Sequence, residues 1–274
     1  MSRKLTLALV QMHPALGEIK SNLKHILELT ERASAAGAEF VIFPELALTG
    51  YNQELLGEKL VSLARSPESQ EIQGLAQAAR RFNIYLCVGF IEKRTIPGVM
   101  YNAIIFFDPQ GKMLRTYAKS HLFSAENLHF RPGADLRVLP IEKGMIGPMI
   151  CMDIGYPEVA RILSLGGAEL LIAPSAWIRE DEDIWPLHLQ ARALDNLVFV
   201  AGINRVGVEG NLQFIGRSML VDPRGKIIQT LDDQEDILVA EIDLDQVVQA
   251  RRGALHWTGR RPELYQSIAD LKAN

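Results

Sequence analysis

The sequence predicts an α/β fold made of two similar halves, each a sheet covered by helices on one side, with the two sheets packed face to face. Three observations carry this reading. Short apolar runs alternate with stretches whose apolar residues recur at helical spacing. Markers in the first half return in the same order in the second. No Pro/Gly/Ser-rich linker separates the halves, so residues 1–274 read as one domain.

Taken in order, Leu5–Met12 reads as a buried strand. From Ile19, the positions Leu23, Ile26, Leu27 and Leu29 fall on one helical face, and Gly37 marks the stop. Glu39–Phe43 is a second strand, ended by Pro44, which has no N–H for a ladder. Ser66-Pro67-Glu68 opens a helix to about Phe82, with proline at an early position whose N–H the first turn does not use. Ile84–Ile91 and Ala103–Phe107 are strands; Cys87 lies inside the first and reads as core. Asp108-Pro109-Gln110-Gly111 is a turn, and Met113–Ala118 pairs back as the other arm of a hairpin.

The repeat is legible as sequence. Gly37-Ala38-Glu39 through Pro44-Glu45 returns as Gly167-Ala168-Glu169 through Pro174-Ser175. Asn83-Ile84-Tyr85-Leu86 is matched to Asn196-Leu197-Val198-Phe199, and Asp108-Pro109-Gln110-Gly111-Lys112 to Asp222-Pro223-Arg224-Gly225-Lys226. One match would be a common turn; three in the same order predict a duplicated β-α-β-α-β-hairpin unit.

Composition narrows the partners. Of 274 residues, 48% are hydrophobic and 23% charged, the balance of a globular chain. Lys and Arg total 29 against 33 acids, a net charge of −4, so no basic field suits nucleic acid. After Ser2-Arg3-Lys4 the run Leu5–Val10 is too short for a secretory segment, and no run reaches the roughly 18–20 apolar residues a membrane span needs. Two cysteines allow one disulfide at most, which fits a cytoplasmic setting. Six scattered histidines and no Cys-x-x-Cys pair leave no metal site, and no nucleotide or dinucleotide loop calls for a cofactor.

The chemistry is sought where strands end, since ligands gather beyond the carboxyl ends of sheet strands. Glu45 follows Phe40–Pro44, Lys119 ends the strand Leu114–Ala118, and Cys151 and Asp153 follow Met145–Ile150. Read singly, Glu45 suits a helix cap, Lys119 a solvated strand end and Cys151 a small core residue. Together they make a chemical unit: a base to take the thiol proton, a cation to hold the thiolate or an oxyanion, and a nucleophile, with the Met152 N–H as a second oxyanion donor.

Phe43-Pro44-Glu45 with Thr49-Gly50-Tyr51, Tyr117 through Phe123, and Ile150 through Glu158 resemble the three signatures of the nitrilase superfamily of carbon–nitrogen hydrolases. The resemblance extends from Ala8-Leu9-Val10-Gln11 to Arg260-Arg261-Pro262. It implies a four-layer α-β-β-α sandwich, with Glu45 as general base, Lys119 as transition-state stabiliser and Cys151 as nucleophile. It also implies a further structural or catalytic carboxylate, carried over to Glu126, which precedes Phe130-Arg131-Pro132-Gly133; a solvated loop acid is the alternative. It implies no cofactor, and a homodimer packed through the helices near the cysteine and a C-terminal segment containing Trp257 and Arg260-Arg261-Pro262. Asp153 reads as an orienting or capping acid, because no histidine lies in a motif that would complete a Cys-His-Asp triad.

Within the superfamily, true nitrilases commonly show Cys-Trp-Glu where this chain has Cys151-Met152-Asp153. Carboxylate-gripping members carry arginine where Ile154-Gly155 stand. The expected reaction is therefore hydrolysis of a linear amide through a cysteine thioester, with N-carbamoyl amidohydrolase and then nitrilase as rival activities, and a silent binding protein as the rival of another class. The expected substrate is a small amide or carbamoyl compound. Tyr51, Met152, Gly155, Trp177 and Arg179 are the expected binding residues, and Arg179 is the one nearby cation that could hold a carboxylate.

Overall fold

The structure is a computed structural model that describes residues 3–269; Ser2 and the outer ends of the expected 1–274 span lie outside the described residues. In the first half, β1 (Lys4–Gln11) leads through α1 (Ile19–Ala35) to β2 (Phe40–Ile42). The short helices α2 (Gln53–Leu56) and α3 (Lys59–Leu63) precede α4 (Gln70–Phe82), β3 (Tyr85–Lys93) and a hairpin of β4 (Met100–Phe107) and β5 (Met113–Ala118). After α5 (Glu126–His129) come β6 (Leu139–Ile141) and β7 (Gly144–Pro148). A 3-10 turn at Cys151–Gly155 then feeds α6 (Pro157–Leu165), β8 (Leu170–Ser175), α7 (Ile184–Asn196) and β9 (Phe199–Asn204). The chain continues through a hairpin of β10 (Val206–Glu209) and β11 (Leu212–Ile215), then β12 (Met219–Val221), β13 (Ile227–Thr230), β14 (Asp236–Asp243), α8 (Asp245–Arg251) and α9 (Leu255–Thr258).

Alternation along β1 builds the layers. Leu5, Leu7 and Leu9 share one buried core with Leu170, Ile172, Ala201 and Ile203 of the other sheet. Ala8 and Val10 pack instead with Ile26 and Leu29 of α1 and Ile72 and Leu75 of α4. On the far side, α6 and α7 cover the second sheet with Val159, Leu163, Leu189 and Ala193. Each fully buried Leu or Ile contributes roughly 1.5–3 kcal/mol from removal of apolar surface from water. The result is a four-layer α-β-β-α sandwich.

The two six-stranded sheets have matching orders, β14-β1-β2-β3-β4-β5 and β6-β7-β8-β9-β12-β13. Leu7 pairs with Phe40 and Phe40 with Tyr85; Ile146 pairs with Leu170 and Leu170 with Phe199. Leu7, Phe40 and Tyr85 are thus the counterparts of Ile146, Leu170 and Phe199. The turn acids behave alike: Asp108 accepts from the Gln110 and Lys112 amides at 2.9 and 2.8 Å, and Asp222 from those of Arg224 and Lys226 at 2.8 and 3.0 Å. Glu39 accepts from the Thr6 amide and pairs with Lys143, while its counterpart Glu169 accepts from the Met145 amide and pairs with Arg3. Each acid takes its cation from the other half.

Four expectations are corrected. The helix expected from Ser66 starts at Gln70, because Arg65 still bridges to Glu92 of β3 and Ser66-Pro67-Glu68-Ser69 forms a turn closed by the Ser69 amide on the Ser66 carbonyl at 3.0 Å. Proline occupies the second position of that turn, which suits its fixed φ as well as a helix start does. The match of Asn83 to Asn196 is one residue out of register: Asn83 and Leu197 are the counterparts, both left-handed at φ +53 at the ends of their helices. Asparagine tolerates that conformation and leucine does not favour it, so residue type pointed to the wrong neighbour. The strand expected from Ala103 begins at Met100. The halves also do not keep their strands to themselves, since β14 from the C-terminal half joins the first sheet antiparallel to β1.

Candidate active site

Glu45, Lys119 and Cys151 arrive from three strand ends at one end of the sandwich. Glu45 follows β2 in a turn against which β3 is pressed. A Cβ on Gly89 would lie 2.3 Å from the Pro44 carbonyl oxygen and 2.4 Å from the Leu46 nitrogen, so only glycine permits this approach. Lys119 follows β5, and Gly133 packs on it with equal closeness, its amide donating to the Lys119 carbonyl at 2.8 Å. Cys151 opens the 3-10 turn with φ +44, a conformation disfavoured for a non-glycine residue and found where the surroundings over-determine the backbone.

Those surroundings are specific. Asp153 accepts from the Ile150 amide at 3.0 Å, the Tyr117 hydroxyl at 2.8 Å, the Ser120 hydroxyl at 2.7 Å and the His121 amide at 2.9 Å. It ties the cysteine turn to the segment after β5. Burial alone would raise its pKa, but the hydrogen bonds from His121, Ser120, Ile150 and Tyr117 outweigh burial and hold it below the usual aspartate value. At the other end of the turn, buried Arg192 donates from Nε to the Ile154 carbonyl at 2.8 Å and from Nη2 to that of Gly155 at 3.1 Å.

Around Lys119 the polar groups close into a network with no solvent exposure. Its Nζ donates to Glu45 Oε1 at 2.7 Å and to Glu126 Oε1 at 2.8 Å. Asn102 Nδ2 donates to Glu45 at 2.6 Å and to Glu126 at 3.3 Å. The Tyr51 hydroxyl donates to Glu126 at 2.8 Å, and the Ala176 amide to Glu45 Oε2 at 2.8 Å. Burial raises the Glu45 carboxyl above the ordinary range, against the opposing pull of Lys119. Burial would lower the Lys119 pKa, but Glu126, Glu45 and Cys151 raise it well above the ordinary value. The Cys151 thiol is pushed well up by burial and by Glu45, with Lys119 and the Ala176 amide acting the other way. A neutral thiol beside a carboxylate of raised basicity is a nucleophile whose proton has somewhere to go.

A cavity of about 30 Å³ opens at Cys151, walled by Phe123, Met152, Ala176, Trp177, Ile178 and Asp181. Of the residues expected to bind substrate, Met152 and Trp177 line it. Tyr51 does not; it is buried in the network beneath Glu126. Gly155 is not among the lining residues, and its carbonyl is held by Arg192. Arg179 lines a different depression, beside His13, Val208 and Asp233, and pairs with Glu182 at 3.2 Å. Cys87 is fully buried in β3, as expected of core.

Sequence reasoning missed several participants. Asn102 left a signal: it is an amide in the apolar strand Met100–Phe107, and its carbonyl receives the Lys119 amide at 2.8 Å. His121 belongs here too: its Nδ1 lies 3.1 Å from Asp153 Oδ1 and its ring stacks on Tyr156 at 3.7 Å. Among the described residues it makes no hydrogen bond to Cys151, so the Asp-His pair does not extend to the thiol. The Ala176 amide and Asp181 left no signal, because a backbone donor and a loop acid become part of the site only through the fold.

No cluster suited to a metal ion and no helix long and apolar enough to cross a membrane occurs among the described residues. Residues 6–252 match the family model described as carbon-nitrogen hydrolase. The chain is 35% identical over 262 residues to a nitrilase of Pyrococcus abyssi, covering 94% of this chain and 98% of the relative. It is 32% identical over 259 residues to an (R)-stereoselective amidase of a Pseudomonas species, covering 94% and 92%. The crystal structure of a carbon-nitrogen hydrolase from Helicobacter pylori superposes with a TM-score of 0.91 at 28% identity, covering 98% of this chain and 99% of that one.

Proposed function

Because the chain belongs to the carbon–nitrogen hydrolase family, we propose that it hydrolyses the C–N bond of a small linear amide at the Cys151 cavity, with Cys151 as nucleophile, Glu45 as general base and acid, Lys119 as stabiliser of the oxyanion and Glu126 as the acid that fixes Lys119. One observation carries the assignment: Glu45 and Lys119 are hydrogen-bonded to each other without solvent exposure, and Ala176, whose amide donates to Glu45, lines the cavity together with Cys151.

The Glu45 carboxylate takes the thiol proton as sulfur adds to the amide carbonyl carbon. The oxygen becomes negative and is held by the Lys119 ammonium and the Met152 N–H. Glu45 returns the proton to nitrogen, the C–N bond breaks, and ammonia or an amine leaves a thioester. Glu45 then takes a proton from water as hydroxide adds to the thioester carbonyl; the C–S bond breaks, Glu45 returns that proton to sulfur, and the carboxylic acid departs. For an N-carbamoyl substrate the acid released is a carbamic acid, which breaks down to carbon dioxide and the remaining amine or ammonia.

The pH profile tests this reading. Glu45 must be ionised to start the reaction, and its pKa is raised above the ordinary 4.5. kcat/KM therefore rises with pH along a limb centred above that value. An inflection at or below 4.5, or a Glu45→Gln variant that keeps most of its turnover, counts against Glu45 as the base.

The single domain, the homodimer and the cytoplasmic location belong to the same proposal. The core shared by the two sheets supports one domain. Exposed Ile162, Leu165, Leu187, Leu194 and Leu255 on α6, α7 and α9, near a Trp257 ring flanked by the Arg161 and Arg251 guanidinium groups at 5.3 and 4.4 Å, support a subunit contact there. Free Cys87 and Cys151 are compatible with a reducing compartment.

A further inference from the structure

The cavity at Cys151 is asymmetric in charge. Phe123, Met152, Trp177 and Ile178 make apolar walls, Asp181 is the acid among the lining residues, and among the described residues no Lys, Arg or His lines it. Asp181 is held against the wall by its backbone, whose carbonyl accepts the Trp177 indole N–H at 2.7 Å. Its carboxylate makes no hydrogen bond or ion pair among the described residues. The nearby cations are engaged elsewhere: Arg179 lies 3.2 Å and Arg217 3.7 Å from the carboxylate of Glu182. In sequence, Asp181 stands among the acids Glu180, Glu182 and Asp183. His188, edge-on to Trp177, has its pKa lowered by burial and by Arg192 against the opposing pull of Asp181.

An anionic substrate entering this cavity would meet Asp181 and no cation among the lining residues, whereas a cation gains the attraction of that acid. We propose that Asp181 makes the site selective for short amides bearing a protonated amine at the end remote from the reacting carbonyl, and selective against amides bearing a carboxylate there. The inference rests on the reading that Cys151 attacks an amide in this cavity, and it adds the charge class of the substrate.

Binding and turnover separate the two ideas. Affinities of 4-aminobutanamide, pentanamide and succinamate for the Cys151→Ala protein are measured by ligand-observed NMR, which reads weak binding without chemistry. The ammonium amide is expected to bind about two- to fivefold more tightly than pentanamide, the scale of one partly exposed ion pair, with succinamate weakest. The advantage is expected to shrink in about 0.5 M salt and to disappear when Asp181→Asn is added. Equal affinities, tightest binding of succinamate, or an order that Asp181→Asn leaves intact overturns the proposal. Turnover of the same three compounds by the unaltered protein is a separate readout: failure of all three counts against the amidase chemistry, while the binding order still decides the role of Asp181.

Discussion

The ends of β2 and β8 occupy equivalent places in the two halves and carry different chemistry. Counting from the paired residues Phe40 and Leu170, Phe43-Pro44-Glu45 overlies Ala173-Pro174-Ser175, so the position that holds a buried carboxylate in one half holds a hydroxyl in the other. The hydroxyl of Ser175 turns back to the Ala173 carbonyl at 2.9 Å, while the next residue, Ala176, donates its amide to Glu45. By the same count from Leu7 and Ile146, Met12 is the counterpart of Cys151. A duplicated frame thus delivers two sets of strand ends and assembles one site across them, with acid and ammonium from the first half and thiol and backbone donor from the second. Doubling the architecture has not doubled the chemistry, because backbone placement follows the ladder registers while each side chain at a strand end can change alone.

The comparison is broken most severely at the nucleophile. Cys151→Ala should lower kcat by about 10⁴-fold or more, since removing a nucleophile removes the covalent route, whereas Ser175→Ala should stay within about threefold of the unaltered rate. Comparable losses in steady-state assays would mean that the second strand end takes part in the chemistry as the first does. Lys119→Met comes next. It leaves Glu45 and Glu126 buried side by side without their cation, and should cost about 3–5 kcal/mol in denaturant unfolding together with a loss of turnover. Stability unchanged within error would show that the pair is solvated.

Asp153→Asn should have a smaller effect, about tenfold on kcat with little change in KM, by loosening the turn that holds Cys151 at positive φ. It carries a second signature. The native Asp153 pKa lies below the ordinary 3.8, so its contribution to stability is present above that value and is lost as pH falls through the native pKa. The Asn variant should lack that component of acid destabilisation in melting curves; parallel acid limbs would contradict the assigned hydrogen bonds. The smallest effects sharpen the symmetry itself. Asp108→Ala and Asp222→Ala each remove two hydrogen bonds to backbone amides in equivalent exposed turns, and each should cost a similar amount, on the order of 1 kcal/mol. A large difference between the two would show that the hairpins are not energetic equivalents.

Much of the frame was legible in the residues. The apolar runs, the Asp-Pro-x-Gly turns and the repeated Gly-Ala-Glu lead-in to β2 and β8 act over a few positions, and the structure places strands and turns within a few residues of them. The starting point of α4 was not legible, because Ser-Pro-Glu serves a turn and a helix start equally well and the bridge from Arg65 to β3 decided between them. Nor was the edge position of β14, which depends on pairing between the two ends of the chain. Glu45, Lys119, Glu126 and Cys151 were marked by motifs, but which groups surround them was not.

By itself, then, the sequence determined the two-part α/β plan, the turns and the residue types able to do the chemistry, since periodicity, proline, glycine and short side-chain-to-backbone bonds are settled locally. Tertiary structure alone decided that Asn102 and the Ala176 amide complete the carboxylate network, that Asp153 and Arg192 clamp the cysteine turn, and that Asp181 rather than Arg179 stands at the cavity. Those are contacts between residues far apart along the chain. They exist only once both sheets have closed on one another and water has been excluded, which is when a buried hydrogen bond or an unpaired charge acquires its full energetic weight.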